Sequence, residues 1–171
     1  MGLEIERKFL IVLPDAELLL AKPDISVKKI TQTYLTPGKS GCERRIREIE
    51  CGGETKYVYT EKVFIAPGIR REDEREITRD DYLRLRREAY SELEKVRYAF
   101  PYMGHTFEID VYPTEYGVGR NDPPICGIYA VMEAELGRMD ERIDFPSDIK
   151  IVRELTGTGQ YTNQKLARRI K

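Results

Sequence analysis

Along this chain, apolar and polar residues alternate more often than they recur at helical spacing. Residues 3–13 alternate and close on the apolar run Phe9-Leu10-Ile11-Val12-Leu13, which predicts a strand. Pro14-Asp15 then predicts a short helix over Ala16–Ala21, with Asp15 as its cap. Strands are predicted over Lys28–Leu35, ended by Pro37-Gly38, and over Glu43–Glu50, ended by the hairpin signal Cys51-Gly52-Gly53. Two more follow, Lys56–Ile65, stopped by Ala66-Pro67-Gly68, and Arg71–Ile77. After Thr78-Arg79-Asp80-Asp81 the period changes. Tyr82, Leu83, Leu85, Ala89, Leu93 and Val96 form an approximate helical stripe without Gly or Pro, which predicts one long helix before Glu94–Phe100 turns back to strand. Thr106–Tyr112 and Ile128–Leu136 read as strands, separated by a Gly-, Pro-, Asn- and Asp-rich loop over 114–127. A helix is predicted over Tyr161–Ile170, behind the turn Gly157-Thr158-Gly159. No repeat, low-complexity segment or linker interrupts the chain. The expectation is one mainly β (α+β) domain over 1–171, with about eight mostly antiparallel strands and a few helices.

The polar faces of these strands are unusual. In MGLEIERKFL, Glu4, Glu6 and Lys8 point one way and Ile5, Arg7 and Phe9 the other. Arg45 and Arg47 flank Ile46; Lys56, Val58, Thr60 and Lys62 share a face; so do Glu72, Glu74 and Glu76. Lys95 and Arg97 share a face, Glu108 and Asp110 flank Ile109, and Glu133 and Glu135 flank Ala134. A solvated sheet face explains any one such strand. It explains the set poorly, because the strands segregate by sign and the intervening positions are apolar. If the sheet closes with the charged face inward, the bore holds Glu4, Glu6, Lys8, Arg45, Arg47, Lys62, Glu72, Glu74, Lys95, Arg97, Glu108, Asp110, Glu133 and Glu135. Each buried ion costs roughly several kcal/mol to desolvate, so such a bore needs water and charged guests. Carboxylate clusters suit hard divalent cations, and Arg and Lys clusters suit phosphate oxygens. Both together are what metal-assisted phosphoryl transfer requires.

Composition narrows the partners. The 171 residues carry 29 Lys and Arg against 30 Asp and Glu, a net charge of −1 without the basic excess of a generic nucleic-acid binder. Charged residues make up 35% and hydrophobic ones 40%, enough for a core in a soluble chain. No apolar run approaches a membrane span, and Glu4 and Glu6 stand where a signal peptide needs a basic start, so a cytoplasmic protein is expected. The three cysteines, Cys42, Cys51 and Cys126, form no CxxC pair and read as reduced thiols. A single histidine, His105, disfavours a His-based zinc site and reads as a surface residue at a turn. Arg84, Arg86 and Arg87 read as a solvated helix face. Gly157-Thr158-Gly159 lacks the spacing and lysine of a phosphate loop.

Glu4-Ile5-Glu6-Arg7-Lys8 matches the ExExK signature of the CYTH superfamily, the triphosphate tunnel metalloenzymes. The rest arrives in that family's order: Gln32-Thr33-Tyr34-Leu35, Arg45-Ile46-Arg47, Lys62, the run Arg71–Ile77, Lys95-Val96-Arg97-Tyr98, Glu108-Ile109-Asp110-Val111, Glu133-Ala134-Glu135-Leu136, Glu154-Leu155-Thr156, Tyr161-Thr162-Asn163 and Leu166-Ala167. The chain thus resembles CYTH proteins over nearly its whole length, and the start and end resemble the bacterial branch with inorganic triphosphatases. It departs from the family in having no tryptophan, Thr33 where Gly is frequent, and a long 114–127 loop.

The resemblance implies an eight-stranded antiparallel β-barrel tunnel that binds a triphosphate along its axis. It implies phosphate contacts from Lys8, Arg45, Arg47, Lys62, Lys95 and Arg97. Mg²⁺ or Mn²⁺, two ions in an active tunnel, would be held by Glu4, Glu6, Glu133 and Glu135 first, then by Glu74, Glu108 and Asp110. Lys95 and Glu6 are the catalytic candidates. Lys95 would stabilise charge at the attacked phosphorus; its alternative role is structural pairing with an inward carboxylate. Hydrolysis of inorganic tripolyphosphate leads, with class IV adenylate cyclase and nucleoside or thiamine triphosphatase as rivals within the fold. A non-catalytic polyphosphate or nucleotide binder is the remaining class. Relatives in the family often form homodimers through an outer barrel face; no nucleic-acid or membrane partner is expected.

Overall fold

The alternation is realised as long strands that close on one another. The structure is a computed structural model describing residues 2–38, 41–113, 125 and 127–170. In chain order its elements are β1 (Gly2–Val12), α1 (Ala16–Leu20), β2 (Ser26–Leu35), β3 (Glu43–Cys51), β4 (Glu54–Ala66), β5 (Ile69–Ile77), α2 (Arg79–Leu85), β6 (Ala89–Tyr102), β7 (His105–Val111), β8 (Tyr129–Glu135), β9 (Ile151–Glu154), α3 (Asn163–Leu166) and β10 (Arg168–Arg169). Every pairing is antiparallel. The order β6-β2-β3-β4-β5-β1-β8-β7 returns to β6 through the β6–β7 pairing, so eight strands form a closed barrel without a free edge. The short β9 and β10 add to β1 and β6. The expected loop over 114–127 lies, apart from residues 125 and 127, outside the described residues, as does Cys126.

Two expected helices are shorter than predicted. Thr78 caps α2 by accepting from the Asp81 N–H, but the helix ends at Leu85 and a 3₁₀ turn over Arg86–Glu88 leads directly into β6. A spacing of four fits both a helix and a strand, so Ala89 and Leu93 satisfied the helical stripe while lying on one strand face. Ala89, Ser91, Leu93 and Lys95 are all buried at period two, and the β2 ladder runs from Ala89 to Ala99. Tertiary pairing decides between the two periods. At the C-terminus only Asn163–Leu166 is helical; Ala167 is extended, and Arg168–Arg169 pairs with Ser91 and Glu92.

The two faces of the barrel wall pack differently. Outside, Phe9 and Ile11, Phe107 and Ile109, and Ala130, Met132 and Ala134 form a core closed over by Leu19 of α1 and by Ile143 and Ile149. Inside, each stripe starts charged and ends apolar at the same end: Glu4-Glu6-Lys8 leads to Leu10, Arg97-Lys95 to Leu93, Glu108-Asp110 to Tyr112 and Glu135-Glu133 to Val131. Leu10, Leu93, Tyr112 and Val131 pack with Tyr34, Leu155, Tyr161 and Leu166, so α3 and its approach fill one end of the barrel.

Leu93 is fully buried in that inner cluster. Leu93→Ala is expected to cost about 2–5 kcal/mol of stability, read from the urea midpoint. A loss below about 1 kcal/mol would contradict close packing at this end.

Candidate active site

Above the apolar end the barrel encloses a cavity of about 770 Å³. All the charged residues expected to face the bore line it except Asp110, which is covered by Lys95 and Arg97 and is 1% exposed. The lining also includes residues that sequence reasoning did not assign inward: Lys28, Glu43, Arg70, and Thr162, Asn163 and Gln164 of the α3 segment. Arg70 shares strand parity with Glu72 and Glu74, and Glu43 with Arg45 and Arg47, so a stricter reading of alternation would have found both. Glu76 has the same parity but is exposed, outside the cavity.

Alternation turns the charges inward, and neighbouring strands then supply their partners. Lys95 Nζ donates to Asp110 Oδ2 at 2.6 Å, with both side chains 1% exposed. Arg97 grips the same carboxylate through Nε at 2.7 Å and Nη2 at 2.8 Å, and also reaches Glu133 at 3.2 Å and Glu108. Lys8 Nζ lies 2.8 Å from Glu133 Oε1. Across the bore, Lys62 Nζ donates to both oxygens of Glu4 at 2.8 and 2.7 Å, and Arg70 Nη1 donates to Glu6 at 3.0 Å. Arg45 meets Glu72 at 3.5 Å, and Arg47 donates to Glu74. The Nε–H donors of Arg45 and Arg47 are buried without an acceptor among the described residues.

These pairings leave the cavity electrically polarised. On one side, Arg47 is pulled down to about 10 by burial and by neighbouring Arg45. Lys95 falls to about 8 through burial and Arg97, against the opposing pull of Asp110. On the other side, Glu6 is raised to about 7 by burial, then by Glu133 and Glu4. Burial and Glu108 likewise raise Glu135, which makes no ion pair among the described residues. Glu6 sits directly opposite Glu135, and Glu108 directly opposite Glu133. Like charges facing each other across a ladder destabilise it unless a cation intervenes. Glu133 is the exception in its group. Burial pushes it up, but Lys8, Arg97 and Lys95 hold it well below the usual carboxylate range. No group of three or more His, Cys, Asp or Glu among the described residues is arranged to hold a metal ion; each acid but Glu135 is turned to a base.

No protein-family model matches the chain, and no curated protein matches it in sequence. Solved structures do. The inorganic triphosphatase NE1496 is 27% identical, over 97% of this chain and 95% of that one, at a TM-score of 0.55. A second structure of NE1496, described as a hypothetical protein, gives 26% identity over 95% and 96% at the same TM-score of 0.55. PH1819 from Pyrococcus horikoshii OT3 shares the fold, with a TM-score of 0.58 at 17% identity over 80% of each chain. The closed eight-stranded antiparallel barrel fits the CYTH tunnel fold.

Other residues singled out in the sequence lie outside the cavity. His105 is less exposed than expected and meets Glu141 at 3.1 Å. Arg84 is a solvated helix residue paired with Asp81. Cys42 and Cys51 are free thiols. No described helix is long and apolar enough to cross a membrane.

The buried and exposed ion pairs of this CYTH barrel should differ sharply in cost. Removing Asp110 strands two cations in the wall, so Asp110→Ala is expected to lose about 3–5 kcal/mol. Arg7 and Glu154, a bidentate pair on the outside at 2.8 Å, are 27% and 40% exposed, and Arg7→Ala should cost about 1 kcal/mol or less. Denaturant unfolding of the two variants side by side checks the ordering.

Proposed function

We propose that this CYTH protein hydrolyses the terminal phosphate of a triphosphate in its charged cavity, with inorganic tripolyphosphate as the leading substrate and Mg²⁺ or Mn²⁺ as cofactor. The observation that carries the proposal is the pair Arg45 and Arg47. Each has a buried Nε–H donor without an acceptor among the described residues, and Arg45 crowds Arg47 on the opposite side of the bore from the facing carboxylates Glu6 and Glu135. Crowded cations with spare donors favour phosphoryl oxygens. The likeness to NE1496, an inorganic triphosphatase, supports the substrate class.

The donor chemistry of the lining suits a hard divalent cation, although no three acids among the described residues are grouped as ligands. Nine acids and eight bases line the cavity, so a bare polyanion gains little net attraction and one accompanied by cations gains much. Glu6, Glu133, Glu135 and Glu108 offer oxygen donors alone, in two like-charged cross-strand pairs, with Glu4 beside them. Bound there, Mg²⁺ or Mn²⁺ would supply charge neutralisation and Lewis-acid polarisation of phosphoryl oxygens. Lys8, Arg45, Arg47, Lys62 and Arg97 would bind the phosphoryl oxygens and align the chain. Lys95 would stabilise charge developing at the terminal phosphorus, and Glu6 would orient the attacking water and take its proton. In-line attack then releases phosphate and diphosphate. Asp110 has both oxygens committed to Lys95 and Arg97, and Glu74 is engaged by Arg47 and Thr60. Both suit positioning better than metal ligation.

An organic triphosphate, nucleoside or thiamine, is the second reading. It is favoured by Phe64, which lines the cavity on β4 yet is 66% exposed. A class IV cyclase would bind ATP in the same cavity, its 3′-hydroxyl attacking the α-phosphorus, and a non-catalytic member would only bind.

Phosphate release from tripolyphosphate, ATP and thiamine triphosphate, each with Mg²⁺, Mn²⁺ or EDTA, separates these readings. Release from tripolyphosphate that is abolished by EDTA and by Glu6→Gln is expected. Metal-dependent loss of ATP without free phosphate would indicate the cyclase, and binding without turnover a non-catalytic tunnel. Lys95→Ala is expected to cut turnover by about 10²–10³ while raising KM far less. An unchanged turnover number would remove Lys95 from this role.

A further inference from the structure

The signature residues Glu6 and Lys8 lie where the barrel splits. On one edge of β1, β8 pairs continuously, with Glu6 opposite Glu135 and Lys8 opposite Glu133. On the other edge β5 pairs only with residues 2–5, and β9 takes over at Phe9. Neither strand reaches the stretch between. Two turns fill that gap. Gly68 of the β4–β5 hairpin accepts the Glu6 N–H at 2.9 Å, and the Leu155 N–H donates to the Lys8 carbonyl at 2.7 Å. The Lys8 N–H has no backbone acceptor on this edge; it donates to Thr156 Oγ1 at 2.9 Å. A side-chain hydroxyl stands where a strand carbonyl would stand.

The turns interlock. Gly68 has φ +73°, and a Cβ there would lie 2.6 Å from the Glu6 carbonyl oxygen. Gly157 has φ +74°, and a Cβ there would lie 2.8 Å from Pro67 Cβ. Two residues before Thr156, the Glu154 carboxylate takes the Arg7 fork on the outer face. The segment that carries the hydroxyl therefore joins the backbone of the inward-facing Lys8 to the outward-facing pair Arg7–Glu154.

We infer that Thr156 is a positioning residue. Its hydroxyl holds the Lys8 backbone at the strand split and thereby sets where the Lys8 ammonium and the neighbouring Glu6 carboxylate enter the cavity. This rests on the triphosphatase reading for its effect on turnover, but not for its geometry. A hydroxyl can accept the Lys8 N–H. Valine matches threonine in shape and cannot; serine can.

The experiment compares wild type, Thr156→Val and Thr156→Ser by amide hydrogen exchange at Lys8, calorimetric binding of tripolyphosphate, turnover and urea midpoint. In Thr156→Val, exchange at Lys8 is expected to accelerate at least about tenfold as the N–H loses its acceptor. Binding should weaken, and turnover should fall about ten- to hundredfold, the cost of a displaced group in a preorganised site. Thr156→Ser should restore all three. A folded Thr156→Val with wild-type exchange and turnover overturns the inference. So does a folded Thr156→Ser that loses them, which keeps the test decisive if the valine variant does not fold. If the wild type hydrolyses no triphosphate, the functional reading fails, while Lys8 exchange and tripolyphosphate binding still judge Thr156.

Discussion

Pairing of charge inside a closed sheet is the constraint on which this molecule depends. A barrel of eight strands has an inner face that water reaches only through its openings, and here that face carries carboxylates, guanidinium groups and ammonium groups on nearly every strand. An unpaired ion in such a wall is far costlier than the pair is favourable. The register must therefore bring opposite charges together strand by strand. Lys62 meets Glu72 and Lys8 meets Glu133 as direct cross-strand partners, and Arg97 lies opposite Asp110. A slip of one residue in any of these strands would put Ile, Val or Ala in the bore and charge into the outer core under α1. Electrostatics and the hydrophobic effect thus select the same register.

The places where like charges meet are informative for the same reason. Glu6 lies opposite Glu135 and Glu108 opposite Glu133, and each pair depends on a base from another position, Arg70 on Glu6 and Arg97 on both Glu108 and Glu133. On the facing side, Arg47 is pushed down by Arg45 and by the more distant Arg97, and Arg45 and Arg47 each keep a buried Nε–H donor without an acceptor among the described residues. Local conflicts in an otherwise consistent structure collect where a ligand is to be met. The wall is tightly satisfied around Asp110 and frustrated on either side of the cavity. The satisfied part holds the frustrated parts in place.

Much of this was legible because a strand reports its facing residue by residue. The inward set from Glu4 to Glu135 follows from parity alone, and Asp15 and Thr78 announce their caps. Parity does not report depth, so it could not separate Asp110, covered by Lys95 and Arg97, from Glu108 at the cavity surface. It also depends on where a strand begins. Arg70 is only the second residue of β5, just past the Pro67-Gly68 turn, and a start at Arg71 excludes it. The stretch from Ala89 to Leu93 was ambiguous because four residues complete both one helical turn and two strand repeats. Thr156 was legible as part of a motif but not as a contact. Its partner is 148 residues away, and the partner atom is a backbone nitrogen, which no side-chain pattern encodes.

The split in β1 connects these observations. A strand bound on both edges by full ladders would have its side-chain directions dictated by the pleat. By losing β5 after Ile5 and gaining β9 only at Phe9, β1 leaves Glu6-Arg7-Lys8 free to take an angle set by turns. Turns can be tuned by single residues in a way that ladders cannot, because a glycine at positive φ or one hydroxyl determines the approach of a whole segment. Glu6 enters the acid cluster, Arg7 leaves toward Glu154, and Lys8 bridges to Glu133, three successive residues with three different electrostatic environments. A continuous sheet would supply the alternation but not the adjustment. The break in pairing therefore lies at the part of the wall where the direction of a carboxylate and an ammonium matters most.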